Sequence, residues 1–256
     1  MGEHTVDWDA ESYDRLADPQ EQWGREVLAR LELAGDETVL DAGCGSGRLT
    51  RALAERLPRG RVIGVDASPA MIEHAREALA DLGGRVELRV ADLTELELER
   101  PVDAVYSNAT FHWILDHHRL FERLFAALKA GGQLEAQCGG EGNVSEWKRA
   151  IEAAQGDGRF APYLRGIPDT YNFASVEDTR VRLERTGFEV KRVWLEERDV
   201  TPPEPREFVR AVGLAKHLAA LPSELHDEFI DTILDSMPRP LTLHYVRLNI
   251  SARRPA

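Results

Sequence analysis

The chain has 256 residues, 43% of them hydrophobic, and a formal charge of -13 from 45 acidic and 32 basic side chains. That supplies a core for one substantial domain, or one domain with an appendage, while an acidic surface without a Lys/Arg-rich tract excludes nucleic acid as the expected partner. No run of about 18 apolar residues occurs, so no membrane span is expected. The N-terminus is acidic and polar, unlike a secretory signal, and the two cysteines lack CxxC spacing. Together these features read as a cytoplasmic protein with neither a disulfide framework nor a metal site.

The first half alternates short apolar runs with helical patterns. "ETVLDAG" (37–43) precedes a helix over 47–57, and "RVIGVDA" (61–67) precedes one over 69–82. "VELRVAD" (86–92) and "VDAVYSNA" (102–109) follow, then a helix over 117–129 stopped at Gly132 and a fifth strand, "GQLEAQCG" (132–139). Such alternation predicts parallel βαβ units covered on both faces. The second half is less regular. A helix over 145–155 is followed by a loop with several Gly and Pro breaks. Ser175 and Asp178 open a helix in a capping-box pattern, and Gly187 ends it. A strand over 188–200, helices over 206–219 and 223–235, and a last strand over 241–253 complete the chain. The expected fold is α/β: a Rossmann-like, open, seven-stranded, mostly parallel sheet with helices on both faces and a helical cap and lid. One domain covers 1–256, with cap helices in 1–35, a binding core in 36–140, a lid from 141–175 and 201–240, and final elements in 176–200 and 241–256.

The stretch 37–50 reads as strand, glycine-rich turn and helix start. Gly43, Gly45 and Gly47 permit positive φ and close backbone approach, and the helix start offers free N–H groups. Asp66 ends the next strand, placed to accept hydrogen bonds from ribose hydroxyls at the switch point of the sheet. A dinucleotide fingerprint would need a small residue where Arg48 stands, and the Lys-Ser/Thr of a phosphate-binding Walker loop is absent. The string Asp-x-Gly-x-Gly-x-Gly beginning at Asp41 resembles motif I of the class I S-adenosylmethionine-dependent methyltransferases.

That resemblance extends over roughly 36–140. It implies S-adenosylmethionine as cofactor and S-adenosylhomocysteine as product. Asp41 would face the cationic part of the cofactor, directly or through water, and Gly43, Cys44, Gly45 and Gly47 would form its cradle. Asp66 would hold the ribose, Ala67 and Met71 the adenine, Asp92 and Leu93 the adenine edge, and Asn108 the transfer side. For Met71, core packing is an equal alternative.

The run "SNATFHW" followed by "DH" resembles the trans-aconitate methyltransferases and, more distantly, the juvenile hormone acid methyltransferases, both of which esterify small acids. The opening "YDRLADPQEQW" (13–23) looks like their first helix. This implies Tyr13 in the substrate region, and Gln20 and Trp113 as neutral donors holding a carboxylate; Gln20 as an exposed polar residue is the alternative. The uncharged and acidic run Gln20–Glu21–Gln22 favours a monoacid with an apolar body.

The reaction implied is an in-line displacement giving a methyl ester, and an ionised carboxylate needs no base. His112 offers another reading, as general base for an O-, N- or C-methylation, beside a purely packing role. A third reading is a non-catalytic cofactor-binding module. Trp23, Tyr163, Tyr171 and His244, with Phe160 and Phe173, are candidates for the pocket wall or for sealing a lid. His117 and His118 read as helix-surface residues. The expected partner is a small-molecule acid; the sequence assigns no oligomeric state.

Overall fold

A computed structural model describes residues 18–167 and 171–256. One sheet contains β1 (Thr38–Ala42), β2 (Arg61–Asp66), β3 (Val86–Val90), β4 (Val102–Asn108), β5 (Leu128–Gly139), β6 (Glu189–Val200) and β7 (Leu243–Arg253). Its order is β3-β2-β1-β4-β5-β7-β6. β1 through β5 run parallel, and β7 pairs antiparallel with both β5 and β6. The α/β architecture is the one the sequence implies. The order reverses between β1 and β4, and there an open parallel sheet leaves a crevice beyond its strand C-termini.

The helices are α1 (Asp18–Ala29), α2 (Arg48–Glu55), α3 (Pro69–Ala78), α4 (His117–Ala127), α5 (Ser145–Gln155), α6 (Ala161–Leu164), α7 (Val176–Thr186), α8 (Pro205–Phe208), α9 (Ala215–Ala220) and α10 (His226–Asp235). Strand alternation sends neighbouring residues to opposite layers. Val39, Val62, Ala104 and Tyr106 pack with Val27 and Leu28 of α1, Leu31 just beyond it and Leu53 of α2. Leu40, Ile63, Val105 and Leu134 pack with Leu120, Phe121 and Leu124 of α4 and Leu183 of α7. A third apolar cluster joins Trp23 to Trp147, Ile151, Phe160, Leu164, Phe208, Leu218, Phe229 and Ile233, so α5, α6 and α8 to α10 share one core of their own.

Several boundaries differ from the sequence reading, each for a local reason. The helix expected to 82 stops at Ala78 and passes into a 3-10 turn over Ala80–Arg85, where Gly83 takes φ 55°. The helix expected to 129 ends at Ala127, and β5 begins at once. Arg254 Nη1 donates to the carbonyls of Phe125 (3.0 Å) and Leu128 (2.7 Å), so the last turn is closed from outside the helix. The helix expected over 206–219 divides into α8, a π-helical turn over Val209–Gly213, and α9. Gly213 marks the break: a Cβ there would lie 2.7 Å from the Trp147 ring. The expected caps are present: Ser175 Oγ accepts from Asp178 N (3.0 Å), and Gly187 closes α7 at φ 106°.

Candidate active site

The glycine turn hangs from β2. The N–H groups of Gly43 and Cys44 donate to the Val65 carbonyl at 2.8 and 3.0 Å, and Gly45 N donates to Asp66 Oδ2 at 2.9 Å. The β4 end holds its other side, because Thr110 Oγ1 lies 3.3 Å from the Gly43 carbonyl and 3.1 Å from that of Asn108. Gly43, Gly45 and Gly47 all have positive φ (86°, 53° and 90°). Their missing side chains serve different purposes. A Cβ on Gly43 would fall 2.0 Å from Thr110 Oγ1, and one on Gly47 2.8 Å from Leu79. A Cβ on Gly45 would meet no other group within 4 Å, so this glycine alone of the three opens onto free space.

Asp41 sits at the end of β1 with 1% of its surface exposed, and its carboxylate accepts from Thr50 Oγ1 at 2.7 Å. Burial pushes its pKa up to about 7, against the Thr50 hydrogen bond and with help from the Asp66 charge. Asp66 also accepts from Ser68 N at 2.9 Å. Two backbone donors leave lone pairs on its two oxygens for a ribose diol. Ala67 is exposed at the strand end, and Met71 is buried next to the Ser68 cap but outside the three large apolar clusters. Open space at Gly45, a buried acid behind it and a half-satisfied carboxylate beside it fit a nucleoside carrying a cationic tail. Asp92 is exposed and accepts from Thr94 N (2.7 Å) and Oγ1 (2.8 Å), while Leu93 is buried in the main core.

The side expected from the sequence to face the acceptor begins at Asn108, which lies opposite Gln137 in register. Ala109 then takes φ 56°, a left-handed conformation that costs of order 1 kcal/mol for a non-glycine residue and is held here by Ala109 N donating to the Gln137 carbonyl at 2.8 Å. The bend turns Phe111–Trp113 into a 3-10 turn. His112 and Trp113 face Tyr171 and Phe173: Trp113 and Tyr171 have centroids 4.7 Å apart, and Tyr171 and Phe173 stack at 5.1 Å. Lys148 of α5 lies over Phe173 and Lys216 of α9 over Tyr171, at 5.4 and 5.2 Å.

Sequence reasoning missed Arg247. It is 2% exposed on β7, opposite Gly139, donates from Nε to Gln137 Oε1 at 3.1 Å, and lies 5.1 Å over the Trp23 ring. Its phase was readable: Leu243, Tyr245 and Arg247 alternate on the buried side of β7.

Other assignments change. His244 is out of that phase, exposed and paired with Asp199 Oδ1 at 2.5 Å, so it forms no pocket wall. Tyr163 is 47% exposed on α6, and Phe160 is fully buried against Phe229 inside the third apolar cluster. Trp23 is buried edge-to-face with Tyr245. His117 is buried, with Nε2 bonded at 2.9 Å to the Phe111 carbonyl, which also accepts from Ile114 N at 3.0 Å. Tyr13 lies outside the described residues; Gln20 lies in α1, with its side chain outside the description. Arg48, the residue that departs from the dinucleotide pattern, pairs with Glu21 at 2.6 Å and ties α2 to the cap helix. Gly24 lets that helix sit close, since a Cβ there would fall 2.8 Å from Tyr106 Oη and 2.9 Å from Asn108 Nδ2.

A sheet with one antiparallel strand at this position, and a glycine turn clamped between acids on β1 and β2, define a class I methyltransferase whose cofactor is S-adenosylmethionine. The methyltransferase domain family matches residues 39–132. The chain is 41% identical over 130 residues to trans-aconitate 2-methyltransferase from Azoarcus sp., covering 51% of this chain and 50% of that one. Over 240 residues it is 31% identical to trans-aconitate 2-methyltransferase from Methylobacterium nodulans, covering 88% of this chain and 86% of that one. It spans about half the length of several other curated relatives it matches. Phosphoethanolamine N-methyltransferase 2 of Haemonchus contortus, solved with S-adenosylhomocysteine, shares the fold (TM-score 0.63, 23% identity, 96% of this chain and 57% of that one). The chain belongs to the S-adenosylmethionine-dependent methyltransferase family that includes the trans-aconitate 2-methyltransferases.

Proposed function

We propose that the enzyme methylates a carboxylate of a small acid, giving a methyl ester, and that trans-aconitate, the acid in its relatives' name, is the first substrate to test. The observation that carries this reading is the lining of the acceptor side. An indole and an imidazole stand at the β4 end, Lys148 and Lys216 lie over Phe173 and Tyr171, and Arg247 adds positive charge beside His112, in a chain whose net charge is -13. Local cations in an acidic protein focus anions toward the crevice. Three of them favour an acid with more than one carboxylate over the monoacid expected from Gln20–Glu21–Gln22.

Bound S-adenosylmethionine supplies an electrophilic methyl group on a sulfonium. The chain's part is to align. A carboxylate is ionised at neutral pH and carries its own lone pair, so no residue has to remove a proton. Orientation by Trp113 and its neighbours, with water excluded by the Tyr171–Phe173 wall, is the kind of contribution worth up to about 7–11 kcal/mol in well-aligned systems. The test is a panel of mono-, di- and tricarboxylic acids assayed for S-adenosylhomocysteine, followed by alkaline hydrolysis of the product. An ester returns the parent acid; an alkali-stable methyl group would contradict the reading.

A further inference from the structure

His112 is held at three points. Its carbonyl accepts from Asn172 N at 2.8 Å, its ring Nδ1 accepts from Gly139 N at 3.2 Å, and its faces meet Trp113 (5.2 Å), Phe173 (5.9 Å) and Tyr171 (6.2 Å). A backbone N–H can only donate, so the lone pair at Nδ1 is occupied and the ring proton of the neutral form lies on Nε2. Nε2 makes no hydrogen bond to the described residues, and 8% of the residue's surface remains open to solvent. The charged and titratable groups around the ring all oppose protonation or are inert. Arg247 comes from β7, His117 from α4, and Cys138, pushed up to about 12 by burial, from β5; Lys148 and Lys216 stand behind Phe173 and Tyr171. Burial, then Arg247, then His117 push the imidazole well below its ordinary value.

We infer that His112 serves the acceptor as a fixed, neutral Nε2–H donor, pointing one hydrogen bond at a substrate oxygen, and not as a base. With Nδ1 engaged and Nε2 protonated, the ring has no free lone pair with which to accept a proton. This corrects the general-base alternative and rests on the carboxylate reading above, to which it adds a specificity element: the site prefers an acceptor atom that arrives already deprotonated.

Two substitutions separate the ring's edges. His112→Asn keeps an acceptor for Gly139 N–H and deletes the outer donor; His112→Gln places an amide N–H near the Nε2 position. Expected values of kcat/KM for the acid are a fall of about 10- to 100-fold in His112→Asn and a smaller fall in His112→Gln, with KM carrying most of the change. Long-range 1H–15N spectra of histidine-labelled enzyme with S-adenosylhomocysteine should show a neutral, Nε2-protonated His112 from about pH 5.5 to 9, and trans-aconitate should shift that Nε2–H signal. An Nδ1-protonated or charged ring near neutrality, no shift on saturation with acid, or equal losses in the two variants would overturn the inference. A shifted signal accompanied by an alkali-stable methylated product would fault the ester reading and leave the donor in place.

Discussion

Between β1 and β2 the proposed cofactor surface is main chain, with Gly43 and Cys44 suspended from the Val65 carbonyl and Gly45 from the Asp66 carboxylate. Beyond β4 side chains come from distant segments: His112 and Trp113 from the turn, Tyr171 and Phe173 from the segment before α7, Lys148 from α5, Lys216 from α9, and Arg247 of β7 beside His112. On the proposed function, the first arrangement meets a cofactor whose shape never changes, with backbone groups and two acids, and the second meets an acceptor by charge and aromatic shape, so that specificity can change in the second without disturbing the first.

The glycines offer the sharpest way to break that division. Gly43→Ala forces a Cβ into Thr110 at positive φ, and should cost about 2–4 kcal/mol of stability, lowering the melting temperature by several degrees. Gly45→Ala meets no protein atom, so its cost should be about 1 kcal/mol from backbone conformation alone, while S-adenosylhomocysteine affinity collapses. Thermal melts and calorimetry on the pair check it; equal stability losses would show that Gly45 also packs against the protein.

A smaller effect comes from Asp41. Its folded pKa of about 7 lies above the unfolded value near 3.8, so between these limits the folded protein retains a proton that the unfolded chain has lost. Stability of the cofactor-free protein should then fall as pH rises through that window, by up to about 1.4 kcal/mol per pH unit. Asp41→Asn should flatten the decline. A cationic cofactor tail favours the ionised carboxylate, so affinity should tighten as pH rises toward 7 in the wild type and remain level in the variant. Melts and calorimetry from pH 5 to 8 read both.

The cofactor half was legible because its information is local. Three glycines after a strand, and an acid 19 residues after the last of them at the end of the next strand, need no knowledge of tertiary contacts. Even so, the sequence could not say that Gly43 makes room for Thr110 and Gly47 for Leu79, since both partners lie far along the chain. The acceptor half depends on such distant meetings. His112 reads as a candidate base until Gly139, 27 residues on, is seen to occupy its Nδ1. Arg247 is unremarkable until the antiparallel register sets it opposite Gly139 at the crevice. His244 and Tyr163 were assigned by residue type, and strand phase in one case and the exposed side of a four-residue helix in the other carry them outward.

The most direct test compares S-adenosylhomocysteine affinity and acid turnover in Asp66→Ala and Trp113→Ala. Calorimetry should show affinity about 10- to 100-fold weaker in Asp66→Ala and within about twofold of wild type in Trp113→Ala, whose loss should appear in turnover alone. Unchanged affinity in Asp66→Ala, or affinity lost in Trp113→Ala, would contradict the division of the crevice into a backbone-built cofactor half and a side-chain-built acceptor half.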